Sequence, residues 1–320
     1  MDVRHQRTER LARARHGVLS RADLFALGWT RGQIQYRIAC GEWRTLLVGT
    51  VLVDPALALS CTAWADLPLL TRLSAARAYH GDETIAVSVT AARLHGLDPP
   101  VVDDGVVHVR LPPGRERHQQ TGVRLHTLLL GSEECEVVDG FRVTSLARTV
   151  IDCVLTLPRD PAIAMLDALL RTHRFDRSGL HALRDAARGR RRVRRTWEWW
   201  DLANPGGQSP LESRLRLIAS DAGLAPDHLQ YPVLSDDGRL LGYGDMAWEL
   251  LGGCVLVAEA DGVAVHDRPS ALYRDRRRAN DFLATGRVEM VRFTWADTRS
   301  PSYVVSVIRQ RLRGRWSRRS

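Results

Sequence analysis

The sequence predicts an α/β chain, of the mixed α+β multidomain kind, and three observations predict it. Short helical stretches with capping residues fill the N-terminal segment. Amphipathic helices then alternate with short apolar runs, and near the C-terminus a strand-like hairpin bearing carboxylates lies between two helical stretches. At 320 residues the length suits about two or three domains, each with its own core.

Taken in order, Glu9 to His16, Ser20 to Gly28 and Thr30 to Gly41 read as three helices. Ser20 and Thr30 stand where N-caps belong, and Gly28 and Gly41 where helices stop. Arg44 to Val53 follows as a strand pair with Gly49 at its turn. Helix, helix, helix, wing is the order of a winged helix. A polar break covers Asp54 to Ser60. Beyond it, Leu73 to His80, Val89 to Leu97, Val106 to Leu111, Val123 to Leu129 and Ser145 to Leu157 mix helices with short strands, and Pro161 to Arg188 gives two more helices.

The run Arg188-Gly-Arg-Arg-Arg-Val-Arg-Arg195 reads as a solvated helix end or linker, with phosphate contact as the second reading. Trp197, Trp199 and Trp200 close it and are expected to pack rather than stack on bases. Ser209-Pro-Leu-Glu212 is the start of a helix, with proline at its first position and Glu212 placed to accept an amide there. Leu211, Leu215, Ile218 and Ala222 share one face of it.

The densest chemistry lies between Gly242 and Trp295. Asp245 sits in one strand of an antiparallel hairpin turning near Leu251-Gly-Gly253, and the next strand ends in Glu259-Ala-Asp261. Alternation sends Glu259 and Asp261 to one face, and adjacent pairing brings Asp245 near Glu259. Clustered carboxylates repel unless a cation lies between them, and Mg²⁺ takes carboxylates, water and phosphate oxygens. A buried ion-pair cluster with arginine, Arg268 being the candidate, is the competing expectation. Ser270 to Leu283 is a helix whose Arg274, Arg276, Arg277 and Arg278 form a basic face, and Val288 to Trp295 is the last strand.

The net charge is +9, and all 46 basic residues are arginine, because the sequence has no lysine. A basic, arginine-rich chain is drawn to nucleic acid. No P-loop forms without lysine, and His-Glu-x-x-His and Gly-x-Ser-x-Gly are missing. Five scattered cysteines without Cys-x-x-Cys spacing argue against zinc and disulfide frameworks. His80, His95, His108 and His126 lack metal-ligand spacing. A charged N-terminus and the shortness of every apolar run point to a cytoplasmic protein with no membrane contact.

Two resemblances add to this reading. Gly17-Val-Leu-Ser-Arg-Ala-Asp-Leu and Gly28-Trp-Thr-Arg-Gly-Gln-Ile resemble the winged helix of AbiEi-type antitoxins, and Leu94-His-Gly-Leu with Val143 to Asp152 looks like the middle portion accompanying it. The resemblance implies DNA contact through the helix after Thr30, with Arg31, Gln33, Gln35 and Arg37 reaching the groove. The wing departs from the pattern, carrying Leu46-Leu-Val-Gly49 in place of a basic run.

Glu212, Asp245, Glu259-Ala-Asp261-Gly, His266-Asp-Arg, Tyr273 to Asn280 and Val291 to Trp295 resemble, as an ordered set, the very-short-patch-repair-like endonuclease domain (DUF559) of the PD-(D/E)xK superfamily. That implies Mg²⁺-dependent cleavage of DNA. Asp245, Glu259 and Asp261 would hold the metal, with Glu212 near it and His266 handling the attacking water in place of the signature lysine. Arg274, Arg277 and Arg278 would track phosphates. The expected domains are a winged helix at 1–58, an AbiEi-like α+β domain at 59–188, a basic, tryptophan-rich linker at 189–202 and the nuclease-like domain at 203–312. The alternative function is an AbiEi-type DNA-binding regulator, with a toxin as partner, whose nuclease fold no longer cleaves.

Overall fold

The computed structural model describes residues 3–97, 105–112, 120–262 and 269–316, with backbone alone at 269–275 and 314–316. The chain divides into two compact units, Met1–Cys153 and Val154–Ser320, and it is mixed α and β throughout, as its sequence predicts.

The first unit opens with α1 (Val3–Ala14), β1 (Val18–Ser20), α2 (Arg21–Ala26), α3 (Arg31–Ala39), β2 (Arg44–Thr45) and β3 (Thr50–Leu52). Both capping boxes form. The Ser20 hydroxyl accepts the Asp23 amide and the Thr30 hydroxyl the Gln33 amide, while Asp23 and Gln33 reach back to the cap amides. The strands pair antiparallel in the order β1-β3-β2. Leu19, Leu24, Trp29, Ile34, Trp43 and Val51 fill the space between sheet and helices.

α4 (Pro55–Ser60) follows where a break is expected. Asp54 explains it, accepting the Ala56 and Leu57 amides with Pro55 at the first helical position. Then come α5 (Leu69–His80), β4 (Ile85–Ala86), α6 (Ser88–Leu94), β5 (Val107–Arg110), β6 (Val123–His126), β7 (Cys135–Val138), β8 (Phe141–Thr144) and α7 (Leu146–Thr156). The five strands form a mixed sheet ordered β6-β5-β4-β8-β7. Val18, Leu47 and Leu52 share one apolar cluster with Leu73, Ala76, Val109 and Val143. The small three-stranded sheet and the larger sheet therefore draw on a common core.

The second unit holds α8 (Arg159–Arg171), α9 (Arg177–Ala186), α10 (Val193–Thr196), α11 (Pro210–Asp221), β9 (His228–Leu234), β10 (Leu240–Glu249), β11 (Val255–Asp261), α12 (Pro269–Ala284), β12 (Val288–Thr294) and α13 (Pro301–Trp316). Its sheet order is β12-β11-β10-β9. β9, β10 and β11 meander antiparallel, whereas β12 runs parallel to β11. A parallel pair needs a crossover, and α12 supplies it.

Helices cover both faces of this sheet. Leu211, Leu215 and Ile218 of α11 and Val304, Ile308 and Leu312 of α13 pack on Met246, Trp248, Leu256 and Phe293. Phe282 of α12 packs on Ala247, Val255 and Val257 of the opposite face. Gly244 lets the strands close, since a Cβ there would fall 2.5 Å from Val257 Cγ1. α8 joins α11 through a buried network in which the Asp167 carboxylate accepts from Ser213 (2.6 Å), Arg216 (2.8 Å) and the Asn204 amide (2.7 Å).

Candidate functional site

Two places in the molecule gather the expected site residues. In the first unit, α3 carries Arg31, Gln33, Gln35 and Arg37. Ile34 is buried and fixes the helix on the core, which leaves Arg31, Gln33, Gln35 and Tyr36 exposed. Gln33 is occupied by the capping box and by a 3.1 Å hydrogen bond from Arg4. Arg37 is held too. It pairs with Glu42, donates to His5 (2.6 Å), and lies 4.9 Å from the Trp29 ring centroid. The exposed face is thus formed by Arg31, Gln33, Gln35 and Tyr36, with Gln33 held by its hydrogen bonds and Arg37 half-buried beside it. The wing is short, and its tip exposes Val48 rather than a basic side chain.

The second place is the carboxylate cluster of the second unit. Continued alternation places Glu259 and Asp261 on the face that carries Val255 and Val257 and that α12 covers. Pairing of Met246 with Ala258 brings Asp245 alongside the end of β11, where it accepts the Ala260 amide at 2.8 Å. Gln230 of β9 lies across from Asp245, because Gly244 pairs with Tyr231 and Met246 with Leu229. Its amide donates to Glu212 (3.1 Å) and also to Asp245. Gln230 holds φ +54°, a left-handed conformation costly for a side chain in a strand.

Glu212 caps its helix, as its position predicts. At the start of α11 the Ser209 hydroxyl accepts the Glu212 amide (3.2 Å), while the Glu212 carboxylate accepts the Gln208 amide (2.9 Å). The same carboxylate is 8% exposed and faces Asp245. Burial, and then the neighbouring Asp245 charge, push its pKa up. Burial likewise raises Asp245, with Asp261 adding to the rise and the Ala260 amide, Arg278 and Gln230 opposing it.

Glu259 is 3% exposed and is bracketed by arginine. Arg278 of α12 stands 3.0 Å from one carboxylate oxygen and Arg292 of β12 3.1 Å from the other. Arg292 also approaches Asp261 at 3.9 Å. The competing expectation of an ion-pair cluster is met at Glu259 by Arg278 and Arg292. Arg278, expected on a phosphate-tracking face, is partly exposed and pairs with this carboxylate. Arg276 and Arg277 are exposed. His266 and Arg268 lie outside the described residues, as does the Arg274 side chain.

The donor set is hard oxygen, which suits Mg²⁺ in kind. Both Glu259 oxygens face guanidinium groups, with Asp245 and Asp261 beside them. Among the described residues, no three of His, Cys, Asp and Glu converge as metal ligands. The histidines outside this region have structural partners instead: His95 lies 2.8 Å from the Thr144 carbonyl and His108 3.0 Å from His126.

Sequence reasoning missed Gln230, Arg292 and Tyr36. A strand assignment for His228 to Leu234 would have found Gln230 by its pairing with Asp245. Arg292 reaches Glu259 through a parallel register, Glu259 with Arg292, which no local pattern carries.

Among the described residues no helix is long and apolar enough to cross a membrane. Residues 84–198 match the family model described as the AbiEi antitoxin C-terminal domain. Two similar proteins are the uncharacterized proteins MT2308 and Rv2248 from two strains of Mycobacterium tuberculosis. Each is 32% identical over 216 residues, spanning 66% of this chain and 74% of the relative. The chain belongs to the family of these mycobacterial proteins, and its central segment is similar to the AbiEi antitoxin C-terminal domain.

Proposed function

We propose that this protein is a DNA-binding regulator of the AbiEi antitoxin type, reading the major groove with α3. The observation that carries the reading is the order α1-β1-α2-α3-β2-β3 around a β1-β3-β2 sheet, with Arg31, Gln35 and Tyr36 exposed on α3. The match at residues 84–198 supports the antitoxin part and implies a toxin as protein partner. Arginine and glutamine are the side chains that pair bidentately with guanine and adenine edges. Selection from a random duplex pool by the full chain tests the proposal. The native protein enriches a motif, and the Arg31→Ala/Gln35→Ala variant, with unchanged melting, does not. Enrichment of the same motif by that variant would overturn it.

A second reading, Mg²⁺-dependent DNA hydrolysis in the second unit, is favoured by one observation. Asp245 lies between two carboxylates, Glu212 and Asp261, and burial together with these neighbours raises the pKa values of Glu212 and Asp245, a repulsion that a cation would relieve. Plasmid cleavage in Mg²⁺ or Mn²⁺ that disappears in Asp245→Asn and Asp261→Asn supports it. Intact plasmid under all these conditions eliminates it.

A further inference from the structure

The arginine run after α9 is the most concentrated charge in the chain, and neither reading above uses it. We infer that it is a second nucleic-acid contact, on the second unit, that grips the phosphodiester backbone without reading sequence. Two left-handed residues, Gly189 (φ +79°) and Arg192 (φ +73°), prevent the run from continuing α9 as a straight helix. The chain folds back instead, and Arg188, Gly189, Val193, Arg194, Trp197 and Glu198 line an open surface groove of about 510 Å³. A left-handed arginine is strained, and such residues persist where the surroundings hold them.

Two tryptophans organise the guanidinium groups. Arg184 and Arg188 each lie 4.6 Å from the Trp197 ring centroid, and Arg195 lies 5.3 Å from that of Trp199. Cation–π contact fixes a guanidinium on its apolar side while leaving its outer N–H groups available. With guanidiniums against it, Trp197 acts as a support for arginine rather than as a platform for a base. Arg184 and Arg188 have acidic partners in Asp201 and Asp185. Among the described residues Arg191, Arg192 and Arg194 have no ion pair, and all three are exposed.

The chemistry of the occupant follows from charge. Six arginines fall within the eight residues Arg188 to Arg195, Arg188 and Arg194 share the groove lining with a single carboxylate, Glu198, and the mutual repulsion of the run is relieved by a polyanion. Phosphates at backbone spacing match the planar donors of arginine. None of the large hydrophobic side chains exposed among the described residues lies between Arg188 and Trp200. The patch therefore lacks the apolar anchor of a protein hot spot.

Fluorescence anisotropy of a labelled duplex of arbitrary sequence, followed over a salt series with the full chain, tests the inference. Duplex DNA and duplex RNA serve as separate arms. Arg188→Ala/Arg191→Ala/Arg194→Ala is expected to weaken binding at least tenfold at low salt and to flatten the log–log salt slope by about 2 to 3, roughly 0.9 per phosphate contact. Arg191→Ala/Arg194→Ala, which leaves the Arg188–Trp197 contact in place, is expected to flatten it by about 2. A folded variant with an unchanged slope in both arms overturns the inference, as does a slope unchanged while binding to an acidic protein is lost. The Arg31→Ala/Gln35→Ala protein separates the two proposals. If it alone loses binding, the patch fails and the α3 reading stands; if the patch variants alone do, the reverse holds.

Discussion

Glu212, Asp245 and Glu259 are three buried or half-buried carboxylates treated in different ways by their neighbours. Glu259 is neutralised by two arginines, so removing it strands two guanidiniums against each other. Glu259→Ala should lose about 3 kcal/mol in urea unfolding, the scale for breaking a buried pair. Glu212 and Asp245 have raised pKa values, so their ionisation opposes folding. The sign follows: their contribution is fully present below the ordinary carboxylate range and is lost as pH rises through the raised folded values. Asp245→Asn should therefore gain up to about 1 kcal/mol at neutral pH relative to native protein and little in acid. A pH series of unfolding curves checks this. Loss of stability at neutral pH would show that the Ala260 amide and Gln230 need the charge. Alternation in the sequence sufficed to draw Asp245, Glu259 and Asp261 together. It did not reveal Gln230, whose role depends on a left-handed turn inside a strand.

At the level of elements, capping chemistry was the most legible signal. Ser20, Thr30 and Ser209 cap as their side chains require, since each has an oxygen two or three residues from an amide that lacks a helical partner. Thr30→Ala should cost about 1 kcal/mol and loosen α3, lowering specific DNA binding with little change in the far-ultraviolet spectrum. The short strands β1, β4, β7 and β8 were not read as strands, because strands this short carry too few alternations to stand above noise. Asp54-Pro55 was read as a break, although the same pair is an N-cap and first helical residue. Polar composition outweighed the cap in that reading. The hairpin β10-β11 was found through its glycine turn and its apolar alternation, whereas the parallel partner β12 was found as a strand but not in register.

For the whole molecule, a large positive charge and a shared core have separate consequences. In the first unit the cluster joining Val18 and Leu52 to Leu73 and Val143 couples the three-stranded sheet to the five-stranded one. Leu73→Ala should cost about 2 to 5 kcal/mol, and the α3 region should lose hydrogen-exchange protection together with β8, not independently. Charge governs encounter rather than fold, and a chain at +9 should bind DNA with strong salt dependence. The sequence by itself determined the charge, the helix starts, the class of fold and which carboxylates share a strand face, because each is set by composition or by neighbours within a few residues. The tertiary structure alone decided that Arg278 and Arg292 close on Glu259, and that Arg4 and His5 of α1 reach Gln33 and Arg37 of α3. Those outcomes depend on contacts between residues far apart in the chain, whose distances are fixed only when the cores pack.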